Sequence, residues 1–512
     1  MLNMAVYFLD ENINQGRGDR IAVYYKDKSY TYNDIYKLTN RVGNVLKKLG
    51  VEPENRVYLV LNDSPELVAS FYGTIKIGAV ATLAYTFMSA KGYELELNYI
   101  KPKVVIMDDS AVDNLREAAK NSRFPRSFLV LGKSGSNLRE NEFDFHTMIQ
   151  NASKELEPEP TSEDDIALWK FSGGTTGFRK AIPHRHYNPV FAFEACNQII
   201  NYQQNDIVLP IPKMFFGYGR DFTIVMPFRV GAAAVLYPER FTPEIIFELV
   251  RKYRPTILVL VPTAIRAMLQ IPKDQPPDFS CIRLSISSAE ALSVDLYNEW
   301  KQNFGCEVLE GIGSAEMFSP YILNRLDDIR PGTVGKVVPG YEAKIVDDDG
   351  KGLPDGEIGI LIVRGESSGT QYYHDRVKSQ KTFRGEWVYT DDMFSKDKDG
   401  YFRFAGRRDD LLKVSGYFVS PFEIEKCIET HPEVAECAVV GVEDKDALMK
   451  SKAFVVLKES IVPTLEKAEE IQKFCKGKLA PYKFPRFIEF LDNLPKTGPG
   501  KVDRIQLKRK GI

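Results

Sequence analysis

A glycine- and hydroxyl-rich stretch, FSGGTTGFRK at residues 171–180, has the composition of a loop that binds a phosphate group. Its three glycines allow successive backbone N–H groups to turn toward an anion. Its side chains add hydroxyl donors and positive charge, from Ser172, Thr175, Thr176, Arg179 and Lys180. A Walker A loop ends in Gly-Lys-Ser/Thr, and this stretch does not. We therefore predict a nucleotide-phosphate loop of another type.

Strand-like runs are expected to position this loop. The apolar run IALWK at 166–170 directly precedes it, and similar runs alternate with helix-length segments from about residue 57 to 310. Runs at 57–61, 232–237 and 257–261 are too apolar to have one wet face, so each strand is expected to be buried on both sides. This pattern predicts an α/β fold of parallel-type sheets covered by helices.

The pattern changes twice along the rest of the chain. After about residue 330, short strands separated by Gly/Asp turns predict a small β subdomain. Beyond 405–410, a strand, helix, strand, strand, helix, strand order predicts a small α+β domain, whose first helix begins with Ser420 as N-cap and Pro421 as first residue. We predict an N-terminal domain at 1–408 and a C-terminal domain at 409–512.

Composition narrows the function classes. The 512 residues contain 68 Lys+Arg and 70 Asp+Glu, a net charge of −2, which argues against a general nucleic-acid-binding surface. The six cysteines form no CxxC pair, and no apolar stretch reaches about 18 residues. The N-terminus has no signal-peptide pattern. We expect a cytoplasmic protein with reduced thiols and with neither a membrane nor a nucleic-acid partner.

Seven motifs together resemble the adenylate-forming (ANL) superfamily, which includes acyl-CoA synthetases, peptide-synthetase adenylation domains and luciferases. The resemblance spans essentially the whole chain, and the motifs occur in the family's order. They are FSGGTTGFRK (171–180), KMFFGYG (213–219), SSAEAL (287–292), GIGSAEM (311–317), YTDD (389–392), GRRDDLLKVSGYFVSPFEIE (406–425) and LPKTGPGKVDR (494–504).

The resemblance implies ATP, Mg²⁺ and CoA as cofactors and assigns residues to them. The implied nucleotide-binding residues are Ser172, Gly173, Gly174, Thr175, Thr176, Gly177, Lys180, Ala289, Glu290, Gly311, Ile312, Gly313, Ser314, Ala315, Asp392, Arg407, Lys413 and Lys501. The implied catalytic residues are Lys501, Glu316, Thr176 and Arg407. Glu316 and Thr176 are the implied metal ligands, Asp409 the hinge, and Ser415 and Gly416 the CoA contacts.

Within the superfamily, the chain most resembles the benzoate and 4-hydroxybenzoate CoA ligases. The implied acid-binding residues are Phe215, Phe216, Gly217, Tyr218, Gly313 and Ser319. Gly217 and Ser319 stand where those ligases tend to carry Ala and His, which predicts a pocket for a wider or more polar acid. Arg220 and Asp221 replace small apolar residues, and indicate either a polar substituent on the acid or a mutual surface ion pair.

Three further departures are expected to slow or weaken nucleotide handling without abolishing it. Ala315 stands where the superfamily has Thr, Ala289 where it has Gly, and Asp391 where it has Gly. The resemblance implies activation of a substituted benzoate-type acid and transfer to CoA, by a monomer or homodimer. Three alternatives stay open: loading onto the phosphopantetheine arm of a carrier protein, a medium-chain acyl-CoA synthetase, and a non-catalytic nucleotide-binding protein.

Overall fold

The structure is a computed structural model of the 512-residue chain. It describes the whole chain except residues 133–136, 173–178, 272–277, 409–411, 415–416, 444–448, 460, 480–482, 497–501 and 511–512. At 413–414, 417–418 and 443 it describes the backbone alone.

The described part of the chain alternates strands and helices. The strands are β1 (Ile21–Tyr25), β2 (Lys28–Thr31), β3 (Arg56–Val60), β4 (Val80–Leu83), β5 (Val104–Asp108), β6 (Ser127–Leu131), β7 (Glu142–Asp144), β8 (Ile166–Ser172), β9 (Lys180–Arg185), β10 (Ile207–Pro210), β11 (Ala233–Leu236), β12 (Ile257–Leu260), β13 (Leu284–Ser287), β14 (Val308–Gly313), β15 (Pro320–Leu323), β16 (Lys336–Val337), β17 (Glu342–Val346), β18 (Gly359–Arg364), β19 (Phe383–Arg384), β20 (Trp387–Lys396), β21 (Phe402–Arg407), β22 (Leu412–Val414), β23 (Tyr417–Val419), β24 (Val434–Glu443), β25 (Met449–Leu457) and β26 (Phe487–Phe490).

The helices are α1 (Glu11–Asn14), α2 (Tyr32–Lys48), α3 (Pro65–Lys76), α4 (Ala90–Ile100), α5 (Val112–Ala119), α6 (Phe145–Gln150), α7 (Tyr187–Ile200), α8 (Gly217–Arg220), α9 (Met226–Val230), α10 (Pro243–Tyr253), α11 (Pro262–Leu269), α12 (Val294–Phe304), α13 (Arg376–Thr382), α14 (Pro421–Glu429), α15 (Leu465–Lys476) and α16 (Arg504–Lys510). None of these helices is long and apolar enough to span a bilayer.

Two compact units make up the chain. Unit 1 contains Met1–Glu342 and Arg364–Val388, and unit 2 contains Ala343–Val363 and Tyr389–Ile512. The predicted domain boundary between residues 408 and 409 stays a prediction, because Asp409 lies outside the described residues.

Unit 1 is built on two large sheets. A seven-stranded sheet has the order β7-β6-β5-β3-β4-β8-β9, and a nine-stranded sheet has the order β16-β15-β14-β13-β12-β10-β11-β1-β2. Neighbouring strands from β3 to β8 and from β10 to β14 pair in parallel, and their burial on both faces explains the continuous apolar runs. The predicted parallel-type sheets are therefore confirmed.

Local signals set the start of several helices. Helix α3 begins at Pro65, and the preceding Ser64 side chain accepts a hydrogen bond from the Leu67 N–H, as an N-cap does. Helix α14 begins at Pro421 in the same way, with the Ser420 side chain accepting from the Glu423 N–H. The helix start predicted from sequence at Pro421 is thus confirmed.

Unit 2 contains the predicted small β subdomain and the C-terminal α+β elements. Strands β17, β18, β20 and β21 share one sheet, β22 pairs with β23, and β24, β25 and β26 form a three-stranded sheet. The C-terminal order differs from the prediction, since a β22–β23 hairpin precedes α14 and α16 follows the last strand. The sequence predicts only a single strand before α14, because the two arms of the hairpin are three residues each and only two residues separate them in the sequence.

Candidate active site

Four parallel strands bring the predicted site segments to one edge of the nine-stranded sheet. Strands β10, β12, β13 and β14 are successive parallel neighbours, so their carboxyl ends lie on the same edge. The aromatic motif follows β10, the SSAEAL turn follows β13, and the GIGSAEM segment spans the end of β14. Ligands of open α/β sheets bind at this edge.

The phosphate-type loop joins two antiparallel strands. Strand β8 ends at Ser172 and β9 begins at Lys180, and these two residues are partners in the register. A Walker A loop leads instead into a helix. The predicted loop residues Gly173, Gly174, Thr175, Thr176 and Gly177 lie outside the described residues, so their roles stay predictions.

Arg179 is anchored to the protein, contrary to its predicted role as a phosphate countercharge. Its Nε and Nη2 donate to the two carboxylate oxygens of Glu96 at 2.7 and 2.6 Å. Its guanidinium also lies 4.5 Å from the centre of the Phe171 ring. Burial opposes the charge, but Glu96 outweighs burial and raises the pKa of Arg179. The positive charge is therefore neutralised by Glu96, and Arg179 fixes the end of the loop.

Lys180 forms an ion pair at the other side of the loop. Its Nζ lies 2.5 Å from Oδ2 of Asp375, and the lysine side chain keeps 24% of its exposure. Asp375 also caps α13, because its Oδ1 accepts from the Lys378 N–H at 3.0 Å. The hydrogen bond from Lys180 lowers the pKa of Asp375. Lys180 is thus held in place while remaining open to solvent.

The carboxylate of Glu316 is held by a neighbouring tyrosine. The Tyr372 hydroxyl donates to Oε1 of Glu316 at 2.7 Å, and the Gly369 N–H donates to the Glu316 carbonyl at 2.7 Å. An oriented carboxylate oxygen is a ligand of the kind that Mg²⁺ prefers. Glu316 therefore fits the predicted metal role, whereas Thr176 lies outside the described residues. No motif in the sequence points to Tyr372.

The segment before Glu316 contains a polar atom without a partner. Gly311, Ile312 and Gly313 end β14, and Ser314 follows them. The Ser314 Oγ is buried and makes no hydrogen bond to the described residues. A buried hydroxyl in this condition is costly unless a ligand or water satisfies it. The segment thus fits its predicted role in nucleotide binding.

His184 holds the segment around Ala315 in place. Its ring is fully buried, and its Nε2 lies 2.7 Å from the Ala315 carbonyl. Burial lowers the pKa of His184 to about 3, so the neutral ring donates Nε2–H to that carbonyl. Ala315 is distant from His184 in the sequence, so the sequence motifs do not indicate this contact.

Ala289 adopts a backbone conformation that favours glycine. Its φ is +73°, which explains why a glycine is typical at this position of the motif. The adjacent Ser288 Oγ donates to the Gly311 carbonyl at 2.9 Å, and Glu290 Oε2 accepts from the Thr263 hydroxyl at 2.6 Å. The turn is therefore tied to its neighbours despite the unfavourable Ala289 backbone.

The aromatic motif supplies an exposed wall. Phe216 keeps 39% of its exposure, and its ring centre lies 4.3 Å from that of Phe215. Phe215 in turn lies 5.4 Å from Tyr85 and 5.9 Å from Phe87. Aromatic faces of this kind suit a flat ring.

The start and the end of the aromatic motif are fixed by buried polar contacts. The carboxylate of Asp63 accepts from the Met214 N–H at 3.1 Å, and burial raises the pKa of Asp63 to about 6. The Tyr218 hydroxyl lies 3.1 Å from the carbonyls of Leu260 and Ile286. Tyr218 therefore offers a ligand its ring, since its hydroxyl is bound to the ends of β12 and β13.

A buried ion cluster corrects the interpretation of Arg220 and Asp221. The predicted surface pair is fully enclosed, with Arg220 and Asp221 each 1% exposed. Asp221 Oδ1 lies 2.9 Å from Arg220 Nη2, and Asp221 Oδ2 lies 2.5 Å from Nζ of Lys170. Burial lowers the pKa of the Lys170 ammonium, although Asp221 opposes the shift. Sequence reasoning missed Lys170, because it lies in an otherwise apolar strand.

Gly217 does not leave an empty space in the pocket. A methyl group at its Cα would lie 2.3 Å from Cε and 2.8 Å from Nζ of Lys170. The Lys170 side chain therefore fills the volume that an alanine would occupy. The prediction that Gly217 widens the pocket is wrong on this point.

Ser319 is also placed differently from its prediction. It is 3% exposed, and its hydroxyl lies 3.0 Å from Sγ of Cys196. Its hydroxyl is thus bound within the protein. Gly313, another predicted acid-binding residue, packs closely against β15, since a methyl group on its Cα would lie 2.8 Å from the Pro320 nitrogen. A side chain at Gly313 would not fit.

Two of the predicted nucleotide contacts in unit 2 have described side chains. Asp392 on β20 and Arg407 on β21 are register partners, and Arg407 Nη1 donates to Asp392 Oδ1 at 2.7 Å. Lys413 lies on β22, where its backbone alone is described. The remaining predicted residues of this part of the chain, Asp409, Ser415, Gly416 and Lys501, lie outside the described residues.

Comparison with protein families gives matches over both parts of the chain. The AMP-binding enzyme family model matches residues 9–373, and the AMP-binding enzyme C-terminal domain model matches residues 423–501. The 4-hydroxybenzoate-CoA/benzoate-CoA ligase of Rhodopseudomonas palustris is 36% identical over 99% of this chain and 94% of its own length. The benzoate-CoA ligase of Thauera aromatica is 36% identical over 99% of this chain and 95% of its own.

Solved structures agree with these matches. The anthranilate CoA ligase AuaEII in complex with anthranoyl-AMP superposes with a TM-score of 0.93 at 36% identity, covering 99% of this chain and 97% of that one. A benzoate CoA ligase from Burkholderia xenovorans LB400 superposes with a TM-score of 0.90 at 35% identity, covering 99% of this chain and all of that one.

Proposed function

The chain belongs to the AMP-binding enzyme family, and from that membership we propose that it is an AMP-forming acid-thiol ligase for an aromatic carboxylic acid. The proposed reaction uses ATP to convert the acid to an acyl-AMP and then transfers the acyl group to the thiol of CoA. One observation carries the proposal. The aromatic wall of Phe215 and Phe216 follows β10 and Glu316 follows β14, and these two strands belong to one parallel set whose carboxyl ends lie at the same sheet edge.

Acyl adenylation solves the chemical problem of joining an acid to a thiol, because hydroxide does not leave a carboxylate. A carboxylate oxygen bonds to the α-phosphorus of ATP, and the bond from that phosphorus to pyrophosphate breaks. The thiol sulfur then bonds to the acyl carbon, AMP departs and the thiol proton is released. The substrate carboxylate is itself the nucleophile, so no Ser-His-Asp arrangement is needed.

The chain's own groups supply the electrostatics of the first step. Negative charge is concentrated on the phosphate oxygens, so preorganised cations and donors lower the barrier. Lys180, already oriented by Asp375, and Lys501 are the proposed cations. Glu316 and Thr176 are the proposed ligands of Mg²⁺, which would neutralise phosphate charge. His184 is neutral and bound to Ala315, so it stays structural.

The two half-reactions require different arrangements of the site, which two domains joined by a hinge can provide. We place the parts at residues 1–408 and 409–512, with Asp409 as hinge. Lys501 serves the first step, and Ser415 and Gly416 contact CoA in the second. A lysine that occupies the thiol's path during adenylation must leave it before thioester formation, and a hinge allows that change.

Substitution of Lys501 tests this division. We expect Lys501→Ala to nearly abolish adenylation while thioester formation from supplied acyl-AMP is much less affected. Lys496→Ala is the matched control, because Lys496 lies in the same LPKTGPGKVDR motif (494–504) but its Nζ binds Glu436 at 2.6 Å. Equal loss of both half-reactions in Lys501→Ala would contradict the two-step arrangement.

Pyrophosphate exchange across a panel of acids tests the function itself. The panel contains benzoate, 2-aminobenzoate, the hydroxybenzoates and octanoate, and each active acid is then tested with CoA and with a phosphopantetheinylated carrier protein. We expect exchange with aromatic acids and a thioester with CoA. Preference for octanoate would favour the medium-chain alternative, transfer to the carrier alone would favour the carrier-loading alternative, and no exchange with any acid would leave a non-catalytic nucleotide-binding protein.

A further inference from the structure

A cluster of three buried charges lies next to Gly217 of the aromatic motif. Lys170 on β8, Asp221 and Arg220 are linked by the Asp221 carboxylate, whose two oxygens lie 2.5 Å from Lys170 Nζ and 2.9 Å from Arg220 Nη2. We call these three residues the Lys170 triad. Strand β8 is otherwise apolar up to this residue, so a lysine here is unexpected from the strand pattern alone.

The triad contains one more positive charge than negative charge. Two cations share one carboxylate, and an unbalanced charge in a buried position is costly. Glu316 contributes a weaker favourable interaction with Lys170 from outside the triad. An additional acceptor or anion next to Lys170 would stabilise the cluster.

Lys170 also contacts the two segments that form the acid-binding side of the site. Its Cε lies in the space above Gly217, where an added methyl would approach to 2.3 Å. Its Nζ donates to the Phe318 carbonyl and lies 4.2 Å from the centre of the Phe318 ring. The ammonium therefore lies between Gly217 of the aromatic motif and Phe318.

Within the described part of the chain, Lys170 has both an unused donor and some residual exposure. Its ammonium has three N–H groups, and among the described residues two of them are used, by Asp221 and by the Phe318 carbonyl. The lysine side chain is 5% exposed, against 1% for Asp221 and for Arg220. A ligand in the pocket can thus reach Lys170 more readily than its two partners.

We propose that Lys170 is a specificity-determining residue that donates a hydrogen bond to an oxygen substituent on the ring of the aromatic acid. This inference rests on the proposed function. The favoured substrates carry a ring hydroxyl or a second carboxylate, because either group supplies the missing acceptor. An unsubstituted ring, or one with a methyl group in the same place, leaves the third N–H unsatisfied.

Paired substrates and one isosteric variant test the proposal. The hydroxybenzoates and benzenedicarboxylates are compared with the methylbenzoates at the ortho, meta and para positions, by kcat/KM in pyrophosphate exchange. For at least one position, we expect the wild type to prefer the oxygen substituent by roughly tenfold or more. Lys170→Met leaves a neutral Arg220–Asp221 pair, so it is expected to fold. It should reduce that preference by roughly tenfold or more, with the larger loss in kcat/KM falling on the acid that carries the oxygen substituent.

The control is the same substitution at another buried lysine. Lys76 is 0% exposed and lies 2.6 Å from Asp10, so Lys76→Met also breaks a buried lysine–aspartate pair. We expect it to leave the substrate ratio within about twofold of wild type, whatever its effect on stability, because distant sites act independently.

Two results would overturn the proposal. One is an equal loss for all acids in Lys170→Met, which would mean that Lys170 binds the reacting carboxylate or is purely structural. The other is the finding that the wild type prefers an oxygen substituent at none of the three ring positions. This second test does not depend on the folding of any variant. Absence of exchange with every aromatic acid would instead refute the proposed function.

Discussion

Replacing Gly217 by alanine should disturb Lys170 directly. The φ of Gly217 is not in the left-handed region, so alanine causes no backbone strain there. Its methyl would, however, lie 2.3 Å from Lys170 Cε, whereas carbon atoms in contact are usually about 3.5–4.0 Å apart. Lys170 must therefore move by more than about 1 Å, which breaks its 2.5 Å contact with Asp221.

The expected cost follows from overpacking in a buried site. Such insertions lower the free energy of unfolding by about 1–3 kcal/mol. In a Lys170→Ala background the clashing atoms are absent, so Gly217→Ala should cost less than about 0.5 kcal/mol there. The two substitutions should thus show a coupling energy of about 1–3 kcal/mol.

Equilibrium urea unfolding of the four proteins measures this coupling without any substrate. Gly352→Ala is the control, because a methyl at Gly352 meets no atom within 4 Å. Its effect should stay within about 0.5 kcal/mol. Additive effects of Gly217→Ala and Lys170→Ala would refute the placement of Lys170 over Gly217.

Three other substitutions test individual features of the site. Ala289→Gly should raise the free energy of unfolding by about 0.5–1 kcal/mol, because it relieves the +73° φ at some cost in chain entropy; no gain would contradict that backbone. Asp63→Asn should become progressively more stable than wild type as pH rises from about 4 to about 7, by up to about 3 kcal/mol. Burial raises the pKa of Asp63 from 3.8 to about 6, so the native wild type binds a proton in this window that the unfolded chain has released. A pH-independent difference in thermal unfolding would exclude a raised Asp63 pKa. Tyr372→Phe should raise the Mg²⁺ concentration for half-maximal pyrophosphate exchange by about tenfold, since it removes the 2.7 Å hydrogen bond to Glu316. The control is the neighbouring Tyr373→Phe. An Mg²⁺ response of Tyr372→Phe equal to that of the control would argue against a role of Tyr372 in orienting Glu316.

Those parts of the molecule that depend on local pattern were predictable from the sequence. Apolar runs at 57–61, 232–237 and 257–261 correspond to β3, β11 and β12, because strands buried on both faces need apolar residues throughout. The strand before the phosphate-type loop and the helix starts at Pro65 and Pro421 were predictable for similar local reasons.

Contacts between distant segments were not predictable in the same way. Lys170 meets Asp221 across 51 residues, and His184 meets the Ala315 carbonyl across 131 residues. Strand periodicity gives the face on which a side chain lies but not its partner. For this reason the sequence alone suggests an isolated pair at Arg220 and Asp221, and an empty volume at Gly217.

The most direct test of the central claim is a single turnover with ATP labelled at the α-phosphate and an aromatic acid found active in the panel. Without CoA, we predict that label accumulates in enzyme-bound acyl-AMP with release of pyrophosphate. Addition of CoA should then convert that species to AMP and acyl-CoA in equal amounts. Release of ADP, or a thioester formed without a labelled acyl-AMP, would contradict the adenylation mechanism.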